Sequence, residues 1–344
     1  MKSEFEFIKR IRAQAAKHSV ASADLVCGIG DDTAIISERE GCEMLITTDL
    51  LIEDIDFKLS YAPPRCLGHK ALAVSLSDVA AMAGTPRYSL LTLGIPHSLF
   101  CIPHSEGFWE EFFTGYFALA EKYSVTLIGG DISSTPQGLM IDSMVIGQCQ
   151  KNKAVKRNGA SIGDGIYLTG EIGASAAGLE LLRRGERMND DTANAVQRAL
   201  RAHLMPEARV EFGRQIGERG SAHAMIDVSD GLAQDLTHIC QASGVSAIID
   251  YAAVPVANEV KLVTEGSEAA FEMAVSGGED YELLLTARLK AEAELMEISR
   301  ECQVRLTRIG EITAANEVGE AKLFLRRDGR VQALSARGYD HFAD

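Results

Sequence analysis

The 344-residue chain is 46% hydrophobic and carries a formal charge of -15 at pH 7, so it can bury the cores of two domains but has no basic stripe to displace counterions from nucleic acid. Any phosphate ligand must therefore be met through cations. The seven cysteines and single Trp109 do not suit a disulfide framework, a zinc site or a base-stacking platform.

The opening MKSEFEFIKRIRAQAAKH is charged and periodic, unlike the apolar core of a signal peptide. No apolar run approaches membrane-spanning length. With the unpaired cysteine spacing, this predicts a cytoplasmic protein acting on small molecules.

In chain order, the pattern predicts a helix at about 4–17, a strand at 43–48, a helix at 66–83, a strand at 87–95 and a helix at 105–123. Strands at 125–129 and 139–149 complete a first domain over 1–150. The polar, basic stretch 150–165 marks the boundary. The second domain, 151–344, reads as a strand at 166–169, helices near 172–183, 191–203 and 206–218, and a strand at 223–227. A helix at 231–243, a strand at 246–250, a helix at 267–275, a strand at 281–286, a helix at 288–301 and strands near 304–310 and 322–326 follow. Pro206 suits a helix start and Gly244 a helix end. The mixture predicts an α/β (α+β) fold with sheet-and-helix layers in both domains.

Acidic residues in short Gly-, Ser- or Thr-rich apolar settings carry the chemistry. In GIGDDTAII (28–36), Gly28 and Gly30 let the backbone approach a ligand and Asp31 and Asp32 offer hard oxygens. The same letters also make an ordinary turn. The strand CEMLITTDLLIEDIDF presents Thr47, Thr48 and Asp49 together, oxygens that suit a partly hydrated magnesium, although a polar strand end reads the same way. HKALAVSLSDVAAMAG is apolar almost all round and so predicts a buried helix. Its interruptions are Ser75, Ser77 and Asp78, and a buried aspartate requires either a cation or local donors.

VTLIGGD sets Gly129, Gly130 and Asp131 at the end of a strand, where backbone N–H groups can face phosphate oxygens. MIDVSDG repeats the design with Asp227, Ser229, Asp230 and Gly231 opening a helix, whose N-terminus favours anions. Simple N-capping by Ser229 or Asp230 is the competing reading. Arg157 offers a planar guanidinium for phosphate. SGGEDYELLLT groups Glu279, Asp280 and Glu282 before an apolar strand, where one or more acids would recognise a cationic substrate group. No HExxH or Walker-type sequence is present.

Taken in order, GIGDD, TTD, LSDVAAMAG, LIGGD, KRNGASIGDGIYLTG, MIDVSDGLAQDL, SGGEDYEL and GYDHF resemble the thiamine-monophosphate kinase family, within the superfamily of aminoimidazole ribonucleotide synthetase. The resemblance implies an aminoimidazole ribonucleotide synthetase-like fold: an N-terminal sheet domain that dimerises and a C-terminal α/β sandwich domain completing the active site. It implies in-line transfer of the ATP γ-phosphoryl group to thiamine monophosphate with several Mg2+ ions and no phospho-enzyme. It also assigns Asp32, Thr47, Thr48, Asp49, Asp78, Asp131, Asp227 and Asp230 to metal, and Gly130, Asp131, Arg157 and Ser229 to ATP. Glu279 and Tyr339 would meet thiamine. No general base is needed, because the attacking phosphate oxygen is already ionised.

The family's EGVHF segment, whose histidine touches substrate, reads EDIDF here, so the corresponding contact falls to Asp56. Two alternatives stand beside this reading: another ATP-using enzyme of the superfamily, or a non-catalytic nucleotide or divalent-cation sensor. Against the first, the DGVGTK-like signature is absent, Cys27 has no neighbouring lysine, and the chain ends in HFAD rather than in cysteine.

Overall fold

The structure is a computed structural model and describes residues 4–18, 25–27, 35–36, 39–100, 105–189, 194–315, 322–335 and 338. The chain divides into two compact units, Met1–Val79 with Thr85–Lys151, and Ala80–Gly84 with Asn152–Asp344. Among the described residues no helix is long and apolar enough to cross a membrane.

The first unit runs α1 (Glu4–His18), β1 (Leu25–Cys27), β2 (Ile35–Ile36), β3 (Cys42–Ile52), α2 (Pro64–Ala81), β4 (Thr85–Pro96), α3 (His97–Phe100), α4 (Ser105–Lys122), β5 (Thr126–Thr135) and β6 (Met140–Gln150). Its main sheet has the order β3-β6-β4-β5. β6 pairs antiparallel with β3 and β4, while β4 and β5 are parallel and joined through α4, as a parallel pair requires a crossover. Alternation along β6 buries Ile141, Ser143 and Val145, and the Ser75 hydroxyl of α2 donates to the Ser143 carbonyl on that face. On β3, Met44, Ile46 and Leu50 are exposed.

The all-apolar character of α2 has the expected cause: Leu67, Leu72 and Leu76 are fully buried, and so are Ser75 and Ser77. On α4, Phe112 and Phe113 pack edge to face at 5.3 Å inside the same unit. Strands run longer than their sequence patterns predict, β3 reaching Ile52 and β5 reaching Thr135. β5 continues to Thr135 because β4 pairs with it throughout, so Gly129, Gly130 and Asp131 lie within an edge strand rather than after one. Gly130 makes this continuation possible: it adopts φ +146°, and a Cβ there would lie 1.9 Å from the Leu91 carbonyl oxygen.

The second unit contains β7 (Asp164–Thr169), α5 (Ala174–Arg183), α6 (Ala195–Leu204), α7 (Val210–Arg219), β8 (Ala224–Asp227), α8 (Leu232–Ser243), β9 (Val245–Asp250), α9 (Gly266–Ser276), β10 (Leu283–Arg288), α10 (Glu292–Cys302), β11 (Leu306–Ala314), β12 (Leu323–Arg327) and β13 (Arg330–Ala333). The sheet order is β13-β12-β9-β11-β7-β10-β8. Ile166, Leu168 and Leu284 share a core with Leu232, Leu236 and Ile239 of α8 and Phe271 of α9. The alternate positions Tyr167, Leu283 and Leu285 are fully buried as well, so the central strands are covered on both faces.

Two expectations shift. The helix predicted from Pro206 begins at Val210, and the intervening loop carries Arg209, whose guanidinium reaches the buried carboxylate of Glu282. The strand predicted from Tyr281 begins at Leu283, because Glu279 and Tyr281 take φ of +64° and +52°, which no strand accommodates.

Candidate active site

In the first unit, strand and helix bring the predicted oxygens together by their own periodicities. Thr47 and Asp49 lie two residues apart on β3 and share its helix-facing side. Ser75 and Asp78 lie three apart on α2 and share one helix face. The Thr47 hydroxyl donates to Asp78, and the Ser75 hydroxyl lies 2.7 Å from Asp49 Oδ2. Burial, reinforced by repulsion from Asp78 and then Asp142 and opposed by the Ser75 hydrogen bond, pushes Asp49 up to about 6. A hard cation relieves both the burial and the repulsion, and an all-oxygen donor set suits magnesium.

Alternation separates the neighbouring predicted ligand. Thr48 faces the other side of β3, where its hydroxyl donates to Asp142 of β6. Asp131 falls in the cross-strand row Leu50, Asp142, Thr92, Asp131, on the exposed stretch of β5. Asp142 was missed by sequence reasoning, although an isolated acid in the apolar run MIDSMVIG is the same signal that marked the other aspartates. Asp56 closes a turn: its backbone N–H donates to the Ile52 carbonyl at 2.9 Å, and its Oδ2 accepts the Ile52 N–H at 2.8 Å. Asp32, with the GIGDD segment, and Tyr339 lie outside the described residues.

In the second unit, Asp227 ends β8 opposite Leu283 and is buried. Ser229 and Asp230 form the turn into α8, but neither caps it, since the N-cap is Gly231 with no side-chain hydrogen bond. The capping group comes from inside the helix instead. Asp235 Oδ2 accepts the backbone N–H of Ser229 at 3.1 Å and of Asp230 at 3.2 Å. Burial, then repulsion from Asp227 and Asp230, pushes Asp235 up to about 8. Asp230, Asp235 and His238 place ligand atoms within 4.8 Å of one another, so this junction too concentrates charge that a cation would neutralise.

The SGGEDYEL loop is laced to that junction. Glu279 N–H donates to Ser229 O at 2.7 Å, Tyr281 N–H to Val228 O at 2.9 Å and Val228 N–H to Glu282 O at 2.8 Å. Gly278 is obligatory, because a Cβ would lie 2.4 Å from Ser229 O. The three acids of the loop then separate in role. Asp280 accepts the N–H of Gly173 at 2.7 Å and of Ser175 at 3.2 Å, serving the N-terminus of α5. Glu282 accepts from Thr169 at 2.5 Å and from Arg209 at 2.7 Å. Glu279 keeps a partly open carboxylate, with a side-chain exposure of 28%. Arg157 is exposed on a 3-10 turn whose carbonyl accepts from Ser243, at the opposite end of α8 from Ser229.

The description AIR synthase related protein fits both parts of the chain: the model of its N-terminal domain matches residues 30–149, and that of its C-terminal domain matches 161–321. Thiamine-monophosphate kinase of Bacillus subtilis (strain 168) is 35% identical over 339 residues, covering 98% of this chain and 99% of that protein. The chain belongs to the thiamine-monophosphate kinase family. Among solved structures, thiamine-monophosphate kinase from Stenotrophomonas maltophilia K279a is 33% identical with a TM-score of 0.80, covering 95% of this chain and 97% of that one. AaThiL complexed with AMPPCP and TMP is 30% identical with a TM-score of 0.74, covering 98% and 97%. The family membership thus spans both the acidic cluster of the first unit and the loop and turn of the second.

Proposed function

We propose that this chain is a thiamine-monophosphate kinase, transferring the γ-phosphoryl group of ATP to the phosphate of thiamine monophosphate to give ADP and thiamine diphosphate. The carrying observation is full-length family membership, joined by an oxygen-only acidic cluster whose Asp49 is destabilised until a cation arrives. The family's solved complex with an ATP analogue and TMP supports the substrate pair.

Several magnesium ions would be held by Asp32, Thr47, Thr48, Asp49, Asp78 and Asp131 of residues 1–150 and by Asp227 and Asp230 of residues 151–344. Magnesium supplies charge neutralisation, without which two anionic reactants repel each other. The residues themselves position. Gly130, Asp131, Ser229 and Arg157 would meet ATP, with the backbone of Ser229 held by Asp235. Glu279, Asp56 and Tyr339 would meet the thiamine moiety, Asp56 through the oxygen not committed to Ile52. Direct in-line transfer needs no protein nucleophile, since the acceptor oxygen is already anionic.

We further propose a cytoplasmic homodimer. The exposed apolar side chains Met44, Ile46 and Leu50 on the open face of the first unit's sheet support the association.

The deciding experiment incubates the pure protein with ATP, magnesium and thiamine monophosphate and follows both products. Stoichiometric ADP and thiamine diphosphate are expected. A folded protein that binds ATP yet forms neither product would overturn the proposal in favour of a nucleotide sensor.

A further inference from the structure

Glu279 stands in an over-determined loop. Its φ of +64° is a left-handed conformation that carries a steric penalty for a non-glycine residue. The surrounding bonds hold it there: Glu279 N–H on Ser229 O, Tyr281 N–H on Val228 O, and Asp280 on the first turn of α5. The backbone is therefore fixed, but a glutamate side chain retains rotamer freedom of its own. A carboxylate meant to meet one cationic group needs a second restraint beyond the backbone.

His203, near the end of α6, supplies it. The ring is only 3% exposed, and its Nδ1 lies 3.1 Å from Glu279 Oε2 and 3.1 Å from the Ser175 hydroxyl. The helix that carries the imidazole is itself closely seated. α6 is pressed onto α5 so closely that a Cβ on Gly178 would come within 2.1 Å of the Ala199 carbonyl oxygen and 3.1 Å of the His203 Cβ. Ser175 is fixed in turn, since its backbone N–H is held by Asp280. The chain of contacts Asp280, Ser175, His203, Glu279 starts and finishes in the same loop, so Asp280 anchors the direction of Glu279.

We propose that His203, seated on Ser175, is a positioning residue that aims the Glu279 carboxylate and so sets selectivity for the cationic thiamine moiety. This rests on the reading of Glu279 as the thiamine contact. On this reading His203 acts on the thiamine moiety through Glu279, so its effect falls on one substrate. A merely space-filling histidine would alter stability or both substrates together.

The test compares His203→Asn, whose amide N–H reproduces the Nδ1 position, with His203→Gln, whose amide reaches the Nε2 position. Wild type, Glu279→Gln and the double variant H203Q/E279Q complete the set, each checked for folding by thermal melting. Loss of a hydrogen bond to a charged group predicts that H203Q raises KM for thiamine monophosphate about tenfold while KM for ATP stays within about twofold. H203N is expected to return the former to within about twofold of wild type, and the double variant to be no worse than E279Q alone. Equal effects on both substrates, multiplicative effects in the double variant, or H203N behaving like H203Q would overturn the proposal. Wild type inactive on thiamine monophosphate would sink the kinase reading itself. Active wild type with E279Q unchanged in KM would sink the thiamine contact at Glu279 and the role of His203 with it.

Discussion

Asp49 in the first unit, half-buried, and Asp235 in the second, buried, are both carboxylates crowded by other acids, yet they are held by different kinds of donor. Asp49 is met by the Ser75 hydroxyl, brought from α2. Asp235 is met by two backbone N–H groups only five and six residues upstream. A hydroxyl can rotate away and leave an oxygen to a metal, whereas a backbone amide in a fixed turn cannot. The first arrangement therefore suits direct ligation, and the second suits shaping of the turn that carries Ser229 and Asp230.

Breaking the first arrangement has the largest expected effect. Asp78→Asn should lower turnover roughly a hundredfold or more by weakening cation binding. Because it also removes repulsion on Asp49, the melting temperature without magnesium should hold or rise, while the magnesium-dependent gain disappears. A near-wild-type rate would return Asp78 to the role of acceptor for Thr47.

The second arrangement is probed by Asp235→Ala, which removes the acceptor of the Ser229 and Asp230 N–H groups. A rise in KM for ATP of about tenfold is expected from steady-state kinetics, and an unchanged KM would mean that the turn holds without Asp235. Ser75→Ala removes a hydroxyl bonded to both Asp49 and the Ser143 carbonyl. Chemical denaturation should report a loss of about 1–2 kcal/mol. No loss would place the support of Asp49 elsewhere.

Asp280 refines the amide-held class by its pH dependence. Burial pushes its carboxyl up from 3.8 to about 7 despite the N–H groups of Gly173 and Ser175. With the folded value above the unfolded one, the native state holds the proton longer. Stability from this group therefore declines as pH rises from about 4 to about 7. The unfolding free energy of wild type minus that of Asp280→Asn should fall as pH rises across that window, and a flat difference would contradict the raised value.

Much of the site could be read from the sequence where a motif is local. MIDVSDG announced the turn, and Ser75 and Asp78 stood out as polar interruptions of an apolar helix. Reading failed where a partner comes from afar. Asp142 matters because the β3–β6 register sets it beside Thr48, and His203 because α6 crosses α5 at Gly178. The Pro206 helix start failed for a related reason, since the loop before α7 delivers Arg209 to Glu282.

By itself the sequence determined the order of the acidic motifs, the buried character of α2 and the family, because each is carried by spacing within one segment. Only the tertiary structure decided which partner each acid of the SGGEDYEL loop takes. Asp280 serves the N-terminus of α5, Glu282 meets Thr169 and Arg209, and Glu279, partly exposed, reaches the buried ring of His203. Such choices depend on which donors converge on a buried oxygen from distant segments, and no local pattern records that convergence.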